Sequence, residues 1–170
     1  LETIAADRRD DLNLYFALEM FSGRKPYRTL PKRLQYDIKA FWASHANAQI
    51  EARQVLFSVG DKDVIQAAIE EALDEGYGYL IDEDQLQFHS SILKRLPISL
   101  RCYVACASVL FGDVESADLI KIHMSSGKLS LMQYENFSDP LPVLQRRVKV
   151  DMKGQNVHVF DYDDRNRQYL

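Results

Sequence analysis

Apolar residues recur at helical spacing through the first two thirds of the chain and at alternate positions through its last third. Residues 7–21 predict a helix, with Asp7, Asp10 and Asp11 at its positive end and Gly23 placed to stop it. Leu12, Leu14, Tyr15, Phe16, Ala17, Leu18, Met20 and Phe21 make it apolar nearly all round, so it belongs in a core or needs a partner. Thr29 and Pro31 open a second helix carrying Leu34, Ile38, Phe41 and Trp42. After a break near Ser44, a third runs over 46–59 and ends at Gly60. Asp61 caps a fourth over 63–75, whose stripe is Ile65, Ala68, Ile69, Ala72 and Leu73; Gly76 and Gly78 end it. Residues 79–88 show no clean period and read as irregular. Residues 89–96 predict a short helix closed by Pro97, and 98–111 (ISLRCYVACASVLF) the most buried helix of all, stopped by Gly112.

The period then changes to two. Residues 119–124 (LIKIHM) and 129–134 (LSLMQY) flank the turn signal Ser125-Ser126-Gly127. Residues 148–152 and 157–162 flank Lys153-Gly154-Gln155-Asn156, and Asp139-Pro140-Leu141-Pro142 joins the two hairpins. Helices first and strands last is α+β logic. The expected architecture is an N-terminal bundle of five or six helices (1–112) packed on a C-terminal antiparallel four-stranded meander (113–170), one domain in all. The length of 170 residues suits that.

Hydrophobic residues at 46% and charged residues at 27% are ordinary for a folded protein. No stretch is long and apolar enough to span a bilayer, so no membrane partner is expected. Cys102 and Cys106, four apart in an apolar run, read as buried thiols, which fits a cytoplasmic protein. The chain opens on Leu1 without a signal-peptide pattern, and is expected to be a fragment of a longer protein.

The net charge of −4 hides segregation. Residues 24–53 hold seven basic and two acidic residues, 61–84 nine acidic residues and one lysine, and 85–112 three basic residues and no acidic ones.

Motifs of cofactor and catalytic chemistry are missing. No glycine-rich fingerprint for a dinucleotide or for S-adenosylmethionine follows a strand. Ser126-Gly127-Lys128 is better explained as a hairpin tip than as a phosphate loop, since no helix begins after it. His45, His89, His123 and His158 are widely spaced and read as exposed or hydrogen-bonded. No metal ligands and no catalytic residues are assigned.

Two cationic features remain. Arg24, Lys25, Arg28, Lys32 and Arg33, with Tyr27 and Tyr36 interleaved, could contact phosphates and stack on bases. The plainer alternative is a solvated face pairing with the acidic segment 61–84. In the last sheet, Ile120, Ile122 and Met124, with Val148, Val150 and Met152, would face the helices. Lys121, His123, Arg147 and Lys149 would then point the other way, where they could lie on a nucleic-acid backbone. Ordinary outward polar positions are the alternative there.

Three segments carrying these residues, LYFALEMFSGRKPYRTLPKRLQYDIKAFW (14–42), LPISLRCYVACASVLFGDVESADLIKIH (96–123) and KLSLMQYENFSDPLPVLQRRVKVDM (128–152), resemble the C-terminal region of a bacterial family associated with DNA phosphorothioation and labelled methyltransferases. The resemblance runs from about Asp10 to Asp163 and departs at 74–84, where this chain has extra acidic residues. It implies that S-adenosylmethionine binds a preceding N-terminal half, absent here, and that this part is an accessory domain. That domain would contact DNA, or position the catalytic half on it, through Arg24, Lys25, Arg28, Lys32, Arg33, Lys121, Arg147 and Lys149. A second reading makes the chain a scaffold of the modification machinery, docking on that methyltransferase half or another protein with its apolar first helix. A third, a hydrolase, would need His89 or His123 to converge with Asp113, Glu115 or Asp118.

Overall fold

The computed structural model describes residues 2–170. The chain divides into two compact units, Leu1–Asp61 and Lys62–Leu170. The α+β class holds, but the sheet has six strands, not four.

The first unit contains α1 (Glu2–Ser22), a 3-10 turn (Tyr27–Thr29), α2 (Lys32–Trp42) and α3 (His45–Ser58). Helix α1 begins earlier than the aspartates at 7, 10 and 11 suggest, because Arg8 and Arg9 find partners across the unit. Arg8 donates to Asp37 at 2.7 Å, and Arg9 donates to Glu51. Leu12 and Phe16, one turn apart, are buried, as are Ile38, Trp42, Ala48 and Ala52. Ala48 and Ala52 are small enough for α1 to pack closely on α3. Phe16 meets Trp42 edge-on at 6.3 Å. Ala43 ends α2 in the left-handed region (φ 61), and Ser44 caps α3 by accepting from the Asn47 amide at 3.2 Å. The Glu51 carboxylate collects donors from Arg9, Asn13 and Trp42. Burial would raise its pKa, but those three donors outweigh burial and hold it below the ordinary carboxylate value.

The second unit opens with α4 (Lys62–Asp74) and the hairpin β1 (Tyr79–Ile81) and β2 (Gln85–His89). A 3-10 helix (Ser90–Arg95) leads into α5 (Ile98–Phe111), followed by β3 (Leu119–His123), β4 (Lys128–Glu135), β5 (Val143–Asp151) and β6 (Asn156–Asp161). Every strand is antiparallel to its neighbour, in the order β1-β2-β3-β4-β5-β6.

The stretch expected to be irregular is thus a hairpin. Its turn places Asp82 (φ 52) and Glu83 (φ 58) in the left-handed region, where glycine or asparagine would have announced it. The helix expected at 89–96 is a 3-10 helix, and β5 starts five residues before its alternating core becomes plain. A register shift at Gln133/Tyr134 accompanies that early start.

One face of the sheet is apolar. Leu86, Phe88, Ile120, Ile122, Leu129, Leu131, Val148 and Val150 are all buried. Helix α5 packs on the sheet and α4 packs on α5. The Tyr103 hydroxyl on α5 lies 3.3 Å from the His123 carbonyl and 3.1 Å from the Lys128 carbonyl, pinning the helix to the β3–β4 hairpin. Cys102 is buried, Cys106 half-buried, and both are free thiols. No described helix is long and apolar enough to cross a membrane.

Candidate functional site

Alternation along the strands leaves the opposite face of the sheet with a polar band. Read across the register, Tyr79 on β1 faces Gln87 on β2, which faces Lys121 on β3; then come Ser130 on β4, Lys149 on β5 and His158 on β6. On one side of this row, His123 faces Lys128. On the other, Leu119 faces Met132, Met132 faces Arg147, and Arg147 faces Phe160. Lys121, Arg147 and Lys149 therefore share one patch, as the alternation of the sequence leads one to expect.

The patch is held in place by what surrounds it. Leu119, Met132 and Leu144 form a small buried cluster on this face, with Tyr134, Phe137 and Tyr162 packed against it. The Arg147 guanidinium lies over the Tyr162 ring at 5.8 Å, and the Lys149 ammonium over the Phe160 ring at 5.6 Å. Gln87 and Ser130 are buried polar residues with partners: Gln87 donates to the Tyr79 hydroxyl at 2.5 Å, and Ser130 Oγ is 3.0 Å from His123 Nε2.

Crowding of like charge shows in the protonation equilibria. The pKa of Lys121 is lowered, first by burial and then by Arg147, with a smaller push from Lys149, against a pull from Asp82. His123 is lowered by burial and then by Lys121 and Lys149, with Asp84 opposing. Asp82 and Asp84 lie in the β1–β2 turn, and Asp151 is 3.8 Å from Lys128, so the carboxylates lie toward the rim.

The other cationic group belongs to the first unit. Arg24 and Lys25 lie in the loop after α1, Arg28 in the 3-10 turn, and Lys32 and Arg33 in the first turn of α2. All five are exposed. Lys25 is 3.7 Å from Glu19; Arg24, Arg28, Lys32 and Arg33 make no ion pair among the described residues. Pro31 leaves the α2 N-terminus without a side-chain cap, so its backbone dipole adds to the positive charge of Lys32 and Arg33. Tyr36 is open to solvent, whereas the Tyr27 hydroxyl donates to the Gln35 carbonyl. A cavity of about 290 Å³ in this unit is lined by Tyr27, Ile38, Lys39, Ala43, Ser44 and His45.

Sequence reasoning missed Tyr79, Gln87, Phe160 and Tyr162 as parts of the sheet patch. For Phe160 and Tyr162 the signal was the alternation of the last strand, which sets them on the side opposite Val159; Tyr79 and Gln87 lie on the hairpin that read as irregular.

His89, Asp113 and Asp118 of the hydrolase reading each have a local hydrogen-bond partner. His89 Nδ1 is 2.8 Å from Ser91 Oγ, Asp113 accepts from the Ser116 amide, and Asp118 accepts from the Tyr134 amide. Among the described residues no group of three or more His, Cys, Asp or Glu is placed to hold a metal. The strand-to-helix passage from β2 through Ser90–Arg95 into α5 contains no glycine that would let a backbone approach S-adenosylmethionine. Compared with known proteins, the chain matches no family model, no curated protein and no solved structure.

Proposed function

We propose that the polar face of the sheet binds a polyanion, and that the chain serves as the DNA-contacting accessory part of a larger DNA-modification protein. The second half of that reading follows from the resemblance to the phosphorothioation-associated family. It makes an S-adenosylmethionine-binding methyltransferase half the partner within the same polypeptide. The first half rests on one observation: Lys121 and Lys149 flank Ser130 in register, with Arg147 one step away on the same face. Three cations held this close repel one another, and a row of phosphates relieves that repulsion. Arg24, Arg28, Lys32 and Arg33 offer a separate set of exposed charges on the first unit.

The test is a titration of the chain with DNA across a range of salt concentrations. Affinity should fall steeply with salt, and Lys121→Ala, Arg147→Ala or Lys149→Ala should each lower the slope by about one. Salt-independent binding, or none, overturns the reading.

A second reading is favoured by a different observation. In the first unit Ile4 (70% exposed), Phe21 (52%), Ile50 (55%) and Phe57 (72%) present large apolar side chains on α1 and α3. Such residues suit a protein partner, the methyltransferase half included. Polar substitutions there should leave the salt-dependent binding unchanged and abolish association with that half.

A further inference from the structure

We propose that the polynucleotide taken by the sheet face is an unpaired strand, its phosphates on Lys121 and Lys149 and its bases against Tyr79 and the Arg147–Tyr162 stack. This rests on the polyanion reading above and adds the kind of strand to it.

The argument begins with where the cations sit. Lys121 projects from the middle of β3 and Lys149 from near the C-terminal end of β5, both on interior strands of the sheet rather than on an element that could enter a groove. A duplex is read by inserting a helix or a two-stranded ribbon into its major groove. A broad sheet face takes splayed single strands, whose bases lie flat on side-chain rings.

Rings and planes flank the cations on both sides. Tyr79 is half exposed at the β1 edge, and its hydroxyl is fixed by the Gln87 amide at 2.5 Å. Toward the other edge, the Arg147 guanidinium over Tyr162 presents a planar cation at 5.8 Å from the ring. Arginine planes and aromatic rings both stack on bases whatever the base identity. The row from Tyr79 to His158 crosses five strand spacings, about 24 Å, which is room for several nucleotides. Gln87, buried between Tyr79 and Lys121, and Ser130, buried between Lys121 and Lys149, keep the floor of this band polar and low, so the backbone of a strand can lie close to it.

Duplex binding alone does not account for this layout. It uses the lysines and leaves the edge ring and the arginine stack idle.

The deciding experiment uses the whole chain and fluorescently labelled 12-residue oligonucleotides: single-stranded DNA, single-stranded RNA and a DNA duplex of the same sequence, at one salt concentration. The single strands should bind at least about tenfold tighter than the duplex, the size of one base stack. The DNA and RNA arms tell which sugar is preferred. Tyr79→Leu should weaken single-strand binding about tenfold and leave duplex binding unchanged, and Tyr162→Leu, which also frees Arg147, should weaken single-strand binding by more than it weakens duplex binding. Tyr79→Phe, which keeps the ring, should bind as the parent does. A duplex that binds as well as the single strands, or aromatic variants without effect, overturns the inference while leaving the polyanion reading standing. Failure of all three oligonucleotides to bind overturns both. Should the leucine variants unfold, photocrosslinking of an iodouracil strand to the unaltered chain decides: attachment at Tyr79 or Tyr162 supports the inference, and attachment only elsewhere sinks it.

Discussion

Lys121 on β3 and Lys149 on β5 are each the in-register neighbour of the same residue, Ser130 on β4. Their Cα atoms are therefore two strand spacings apart, about 10 Å. Burial, Arg147 and Lys149 together hold the Lys121 pKa below that of an ordinary lysine. Two consequences follow from the sign of that shift. Folding favours the neutral amine, so Lys121→Met should raise thermal stability while it weakens polyanion binding. A bound phosphate favours the ammonium, so binding should take up protons at alkaline pH, and affinity should fall as pH rises before an ordinary lysine would deprotonate. Lys121→Arg keeps its charge and should flatten that fall. Binding measured in alkaline buffers for the parent and Lys121→Arg checks this; identical pH profiles count against it.

Glu51 ties the first unit together, so its loss should be felt there. Glu51→Ala strands the Trp42 indole N–H and the Asn13 amide, groups that are buried or nearly so, at a cost on the order of 2 kcal/mol. The folded-state pKa of Glu51 is depressed, so its contribution is present above the unfolded carboxylate value and is lost as pH falls through the folded one. Urea unfolding followed by Trp42 fluorescence should show the parent weakening on acidification more steeply than Glu51→Gln.

Gly78 lies just before β1 with φ +120, and a Cβ added there would be 2.6 Å from the Gln87 carbonyl oxygen. That oxygen belongs to backbone and cannot swing aside. Gly78→Ala should cost about 2–3 kcal/mol and loosen the β1–β2 hairpin. Glu83, at φ 58, bears the opposite burden. Glu83→Gly should stabilise the second unit by about 0.5–1 kcal/mol, read from the denaturation midpoint.

That pair of residues also explains what the sequence concealed. Strands β3 and β4 were legible because LIKIH and LSLMQY alternate and Gly127 marks the tip between them. The β1–β2 hairpin has comparable alternation in QLQFH, but its turn bends on Asp82 and Glu83, while its glycines, Gly76 and Gly78, stand ahead of it. Glycine is where a reader looks for a turn, so the stretch read as irregular. The early start of β5 was hidden because adjacent Arg146 and Arg147 point to different partners, Asp161 and Tyr162, and break the visible pattern. For the site, alternation alone put Lys121, Arg147 and Lys149 on one side of the sheet. Which of them stand next to each other is a matter of register, set by pairing between strands, and no local spacing encodes it. Tyr79 and Gln87 were out of reach for the same reason that the first hairpin was.

The strand order has a kinetic meaning. Because each strand pairs only with the strands before and after it in the chain, the sheet can assemble by adding one hairpin at a time. Pairing of β2 with β3 is the exception, since it must close a loop running from Ser90 to Asp118 that holds all of α5. The Tyr103 contacts to the β3–β4 hairpin span a shorter stretch of chain and do not require that pairing. Joining the first hairpin to the rest of the sheet should therefore be the slowest pairing step, and it is the one that completes the row from Tyr79 to Lys149.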